Sequence, residues 1–189
     1  ASSKAAFDEV DSCEHLVIMT KEPAGASPFP DHRSLGQLIF SQPDTFETYP
    51  TAPSDTCAIL YTSGTTGQAK GAELTHLNIH SNVTTTYFIH LPMLDFTDGQ
   101  QKTVLITLPL FHTTGQTVQM NTNIYGGNRI VLLPRFDPKA TLDIMVAEKV
   151  NFWVGVPTMY WALLKYADET GYDISKVAEN MKVCTSGGA

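Results

Sequence analysis

From Thr56 onward, short apolar runs alternate with amphipathic segments of about helical length, the pattern that a parallel sheet with intervening helices imposes on a chain. The runs are Cys57 to Tyr61, Thr103 to Leu108, Arg129 to Leu133, Phe152 to Val156 and Val183 to Thr185. They are nearly continuous in apolar residues, as expected of strands covered on both faces. Thr75 is placed to cap a helix that presents Ile79, Val83, Thr86 and Tyr87. Asp137 followed by Pro138 reads as a cap with proline in the first turn, ahead of an apolar stripe of Leu142, Met145 and Val146. Pro157 opens a third helix, with Tyr160, Leu163, Leu164 and Ala167 on one face and Gly171 at its end. The expected fold is α/β, a mostly parallel sheet covered by helices.

Two stretches depart from this grammar. Residues 1–55 contain one short apolar run, Leu16 to Met19, and are punctuated by Pro23, Pro28, Pro30, Pro43, Pro50 and Pro53, which favour loop. They read as a partial, loop-rich N-terminal segment before an α/β body over 56–189. Within them Asp31 is expected to cap a short helix through Leu35, Leu38 and Ile39. After Pro109, the residues Thr113, Thr114, Gln116, Thr117, Gln119, Asn121, Thr122 and Asn123 leave no strong apolar stripe. That predicts a solvent-facing helix of poor propensity, with a cavity lining as the alternative.

Composition narrows the function classes. A chain of 189 residues buries a sizeable core without disulfide staples. Nineteen acidic residues against twelve Lys and Arg give a net charge of -7, which argues against nucleic acid or anionic lipid as partner. Any anionic ligand must be held locally. Cys13, Cys57 and Cys184 are few and odd in number, and the last two fall in runs that read as buried strands; all three are taken as reduced, in a cytoplasmic protein. No apolar stretch approaches the roughly 18 to 20 residues of a membrane span.

The most informative stretch is Tyr61-Thr62-Ser63-Gly64-Thr65-Thr66-Gly67-Gln68-Ala69-Lys70-Gly71, directly after an apolar run. Its glycines allow positive φ and close backbone approach, so that N–H groups can converge on phosphate oxygens. Thr62, Ser63, Thr65 and Thr66 add hydroxyls, and Lys70 adds a mobile point charge. A flexible surface turn is the plain alternative for such a composition. The order is not that of a Walker loop, because Lys70 follows Gly67 by three positions and is succeeded by Gly71-Ala72-Glu73-Leu74.

This stretch resembles the signature loop of the adenylate-forming superfamily, written Y-T-S-G-T-T-G-x-P-K-G, at every fixed position except the proline, where Ala69 stands. Alanine can adopt the angles proline imposes, so looser ordering is expected, not lost function. Leu108-Pro109-Leu110-Phe111-His112-Thr113-Thr114-Gly115 resembles the L-P-x-F-H-x-x-G motif of acyl-CoA and aryl-CoA synthetases, Gly155-Val156-Pro157-Thr158 their G-V-P-T segment, and Ser186-Gly187-Gly188-Ala189 their S-G-G-A turn. The resemblance spans roughly Asp55 to Ala189.

It implies part of the large N-terminal domain of an adenylate-forming enzyme, with ATP, Mg2+ and coenzyme A as co-substrates and a small-molecule carboxylic acid as substrate. By the same resemblance Thr62, Ser63, Gly64, Thr65, Thr66, Gly67 and Lys70 bind the ATP phosphates, and Lys70 and His112 act in catalysis. His112, Thr113, Val156 and Pro157 border the acyl pocket, and the backbone of Gly187, Gly188 and Ala189 lies against the nucleotide and acyl group. The family's Mg-binding acidic motif, ribose-binding aspartate and C-terminal lysine-bearing domain fall outside this stretch, so the chain alone is expected to be inactive. A carrier-protein-loading adenylation domain and a noncatalytic nucleotide-binding module stand as alternatives. His76, His80 and His90 lack acidic or cysteine partners at metal-ligand spacing and read as helix-surface residues, so no metal site is assigned.

Overall fold

The computed structural model describes residues 2–22, 24–40, 42–64, 67–94 and 100–187. By internal contacts the chain divides into two units, Ala1–Pro50 and Thr51–Ala189.

The first unit holds two short helices, α1 (Ser2–Asp8) and α2 (Leu35–Ile39). The cap of α2 is Ser34, not Asp31. The Ser34 hydroxyl accepts from the Gln37 N–H at 3.2 Å, and the Gln37 side-chain oxygen accepts from the Ser34 N–H at 2.9 Å. This reciprocal box satisfies two donors that a helix start leaves open, and a bridge between Ile18 and Ser34 buries the cap.

In the second unit β1 (Thr56–Thr62) and β2 (Lys70–Thr75) form an antiparallel hairpin of their own. The first apolar run is therefore a strand but not a member of the parallel sheet. Only Ala58 and Leu60 are half-buried along it, while Cys57, Ile59 and Tyr61 are exposed. The alternation marks a ribbon with one packed face, and β2 escapes an apolar count because Lys70, Gly71 and Glu73 are exposed. Helix α3 (His76–Leu94) follows at once. The Thr75 hydroxyl accepts from the Asn78 N–H at 3.1 Å, giving the expected cap, and Ile79, Val83, Thr86 and Tyr87 are buried or half-buried.

The remaining strands are β3 (Thr103–Ile106), β4 (Arg129–Leu132), β5 (Phe152–Gly155) and β6 (Val183–Ser186), all parallel in the order β4-β3-β5-β6. Between them run α4 (Thr122–Tyr125), α5 (Pro138–Ala147), α6 (Pro157–Thr170) and α7 (Ser175–Ala178). Successive side chains leave the sheet on opposite faces. Leu105 and Trp153 pack with Leu142, Met145, Val150 and Leu163 of the α5 and α6 side. Val104, Ile106, Phe152 and Val154 form the core of the other face, joined by Met120. Each such side chain contributes about 1.5 to 3 kcal/mol on leaving water. Of the expected α6 face, Leu163 and Ala167 are buried and Leu164 is exposed. Cys184 lies in its strand as read but is exposed.

Two expectations fail on this second face. The polar segment after Pro109 is not solvent-facing: Thr114–Asn121 forms a π-helix in which Gly115, Thr117 and Gln119 are buried, and Thr122 and Asn123 are buried just beyond it. Its side chains turn to backbone carbonyls, with Gln119 Nε2 donating to Val154 O at 3.3 Å, Thr122 Oγ1 to Thr117 O at 3.0 Å and Asn123 Nδ2 to Gln119 O at 2.6 Å. Polar residues can thus fill a core position that an apolar stripe would otherwise claim. His90 is not a surface residue either; its ring lies 4.7 Å from that of Phe152, and burial holds its pKa below the usual imidazole value. Among the described residues no helix is long and apolar enough to cross a membrane.

The two acidic cap positions make contrasting predictions. Asp137 Oδ1 accepts from the Ala140 N–H at 2.8 Å at the start of α5, whereas Asp31 caps nothing. In urea denaturation, Asp137→Ala should lower stability by about 1 kcal/mol and Asp31→Ala by less than about 0.5 kcal/mol.

Candidate functional site

The hydroxyl-rich loop closes the β1–β2 hairpin. Thr62 and Lys70 pair across its neck, and Thr62 Oγ1 donates to Lys70 O at 3.5 Å. The loop thus runs from strand to strand, not from strand to helix, and draws no charge from a helix N-terminus. What it offers an anion is exposed Thr62 and Ser63, the exposed Lys70 ammonium and backbone N–H groups. Gly64 and Gly67 hold φ of +64° and +83°, and the Gly67 N–H donates to Gly64 O at 3.4 Å. A side chain at Gly64 would put its Cβ 2.1 Å from Gln68 O, while nothing lies within 4 Å of one at Gly67. Thr65 and Thr66 lie outside the described residues.

Three more of the motif segments emerge from the C-terminal ends of adjacent parallel strands, where open α/β sheets place their ligands. After β3 the chain turns through Pro109 to His112, whose N–H donates to Pro109 O at 3.1 Å. The turn then leads into the π-helix at Thr114, and at Gly115 any Cβ would stand 2.3 Å from Pro109 O. The glycine of this motif is therefore a packing requirement. His112 is exposed, and its Nδ1 accepts from the Thr114 N–H at 3.3 Å, which puts the proton of the neutral ring on Nε2.

After β5, half-buried Val156 is the extended residue ahead of α6 and Pro157 opens the helix. Gly155 and Ser186 are paired across β5 and β6, so Val156 and Gly187 leave the sheet side by side. Gly188 and Ala189 lie outside the described residues. Two hydrogen bonds, one buried and one half-buried, brace this edge. Trp153 Nε1 donates to Thr107 Oγ1 at 3.1 Å, joining β5 to the residue after β3. Tyr160 Oη donates to Thr185 O at 2.7 Å, and burial pushes that phenol up to about 12, so it remains a donor at ordinary pH.

The hairpin reaches this region through α3. Leu74, Asn78, Ile79 and Asn82 face Thr113, Thr114, Thr117 and Val118 across a cavity of about 440 Å³. Thr113 thus lines a cavity, the alternative reading of its segment, together with α3 residues that the motifs did not indicate. The signal for them is the Asn78 and Asn82 pair at helical i,i+4 spacing. Among the described residues no three His, Cys, Asp or Glu side chains gather as metal ligands.

The AMP-binding enzyme family model matches residues 3–189. Over 135 residues the chain is 41% identical to the long-chain-fatty-acid–CoA ligase of Bacillus subtilis (strain 168), covering 71% of this chain and 23% of that protein. Among solved structures, ATP-bound MatB from Rhodopseudomonas palustris is similar at a TM-score of 0.65 and 32% identity, over 85% of this chain and 30% of that one. The anthranilate CoA ligase AuaEII, in complex with anthranoyl-AMP, is similar at a TM-score of 0.75 and 25% identity, over 98% and 34%. The chain spans about a quarter of the length of the curated relatives it matches.

The two loop glycines should differ on substitution. Gly67→Ala carries only the strain of a positive φ, about 1 to 2 kcal/mol, whereas Gly64→Ala adds a clash with backbone. Amide hydrogen exchange across β1 and β2 should quicken more in Gly64→Ala than in Gly67→Ala, and equal protection in both would contradict the geometry.

Proposed function

Because the chain belongs to the AMP-binding enzyme family, among the adenylate-forming acyl-CoA ligases, we propose that its parent protein uses ATP to activate a carboxylic acid and passes the acyl group to coenzyme A. The observation that carries this reading is the Tyr61–Gly71 loop, held as a hairpin turn by a glycine that tolerates no side chain and offering hydroxyls, amides and one ammonium to an anion. The order of the strand-end segments along the sheet supports it further.

In this reading a substrate carboxylate oxygen attacks the α-phosphorus of ATP. The bond from that phosphorus to the bridging oxygen breaks, and pyrophosphate leaves. The coenzyme A thiol then attacks the acyl carbon and loses its proton, and the bond to AMP breaks. Thr62, Ser63, Thr65 and Thr66, the N–H groups around Gly64 and Gly67, and Lys70 hold the β- and γ-phosphates and stabilise the charge that gathers on pyrophosphate. His112, with Nε2–H free to donate, orients the carboxylate beside Thr113, Val156 and Pro157. The backbone of Gly187, Gly188 and Ala189 lies along the nucleotide and acyl group. Mg2+ enters as the counter-ion of the nucleotide. Because this chain spans about a quarter of the length of its curated relatives, the activity is proposed for the parent protein.

Fatty acids are the first substrates to test, given the ligase of Bacillus subtilis, although the anthranilate ligase shows that the same fold serves aromatic acids. In the parent, Lys70→Ala should lower acid-dependent ATP–pyrophosphate exchange by about 10²- to 10³-fold, the usual loss on deleting one preorganised charge donor. Undiminished exchange would remove Lys70 from the chemistry.

A further inference from the structure

On the α6 side of the sheet, one chain of side-chain contacts joins the strand ends that carry the proposed chemistry. Thr107, the residue after β3, is buried, and its hydroxyl accepts from Trp153 Nε1 at 3.1 Å and donates to Met159 Sδ at 3.8 Å. The Trp153 ring lies 4.6 Å from the Tyr160 ring, tilted by 52°. Tyr160 Oη in turn donates to Thr185 O at 2.7 Å. The chain of contacts thus begins just before the Leu108–Gly115 motif and ends just before the Ser186-Gly187-Gly188-Ala189 motif. Gly155 of the third motif lies against it, since a Cβ there would stand 2.6 Å from the Trp153 indole. A phenylalanine at position 160 would keep the ring contact. What the Tyr160 hydroxyl adds is direction: the peptide unit is planar, so a bond to Thr185 O fixes the orientation of the Thr185–Ser186 peptide. At Gly187 an added Cβ would meet nothing within 4 Å among the described residues, so close packing on that side does not set the course of the chain.

We propose that Tyr160 is a positioning residue for the adenylation step, anchored by Thr107 through Trp153, and that it sets the turn at Gly187 relative to the turn at His112. The inference rests on the acid-activating reading above, in which Gly187 lies along the nucleotide and acyl group and His112 orients the carboxylate. Neither Tyr160 nor Thr107 touches a substrate in this account. Their effect falls on the alignment of the carboxylate oxygen with the α-phosphorus, the two atoms between which the new bond forms as pyrophosphate leaves. Each substrate alone is held by one side of the site and does not need the two sides in register. The reacting pair does, and a misplacement of about 1 Å costs about 10²-fold in rate.

The test uses the parent protein and the acid that gives it the fastest ATP–pyrophosphate exchange. Tyr160→Phe, which removes only the hydroxyl, should lower kcat for exchange about tenfold while KM for ATP and KM for the acid each stay within about twofold. Affinity for a non-hydrolysable acyl-adenylate mimic, which spans both sides, should fall by a similar factor in calorimetric titration. Thr107→Val cuts the other end of the same chain of contacts and should show the same split. Thr107→Ser keeps the hydroxyl and should recover most of kcat. A merely structural role would lower the denaturation midpoint of Tyr160→Phe and leave kcat of the folded protein intact. An unchanged kcat in Tyr160→Phe, a loss carried by KM, or a Thr107→Ser protein as slow as Thr107→Val would each overturn the proposal while wild-type exchange leaves the activation reading standing. Absence of exchange by the wild type with every acid overturns both.

Discussion

The parallel pairing of β3 with β5, buried on both faces, is the constraint on which the second unit depends. Val104 and Leu105 are fully excluded from solvent, and Phe152 and Trp153 opposite them are 1% exposed. Strands so enclosed cannot slip by one residue without turning each apolar side chain to the wrong face. With the register set, the ends of β3, β5 and β6 are set too. The segments containing His112, Val156 and Gly187 then leave the sheet at one edge. The Trp153–Thr107 and Tyr160–Thr185 hydrogen bonds secure that edge.

Against this apolar slab the chain places a helix with little apolar character. Gln119 within it and Thr122 and Asn123 just beyond donate to backbone oxygens nearby, and Gly115 in its first turn can lie directly on Pro109. A helix with an apolar stripe would pack more favourably but would present an inert wall. π-helical turns recur at functional sites, where regular packing yields to side-chain placement. The hydroxyl-rich hairpin is a separate small ribbon tethered to the same region by α3. The exposure of Thr62, Ser63 and Lys70 is consistent with the anion-holding role proposed for the loop.

Much of this was legible in the sequence. The runs at Thr103, Arg129, Phe152 and Val183 are strands of one parallel sheet, and Asp137, Thr75 and Gly171 mark helix ends as their residue types suggest. The family was legible from the loop and strand-end motifs, which no composition or periodicity argument could have supplied. The misreadings share one cause, since burial and pairing partner are tertiary properties that local pattern does not encode. The run at Cys57 looks like its four successors but pairs with a polar strand, and the segment after Pro109 looks solvated but is buried. Asp31 is a good cap residue in the wrong place, and the reciprocal pair Ser34 and Gln37 was the better signal.

The central claim is that the hairpin loop and the strand-end segments serve one reaction at an acid carboxylate. ATP–pyrophosphate exchange by the parent protein, measured with and without a panel of aliphatic, hydroxylated and aromatic acids, tests it most directly, with AMP release followed on addition of coenzyme A. The account predicts exchange that appears only when an acid is present and turnover that appears only with coenzyme A. Measurable ATP binding without exchange for any acid would contradict it and leave a nucleotide-binding module in its place.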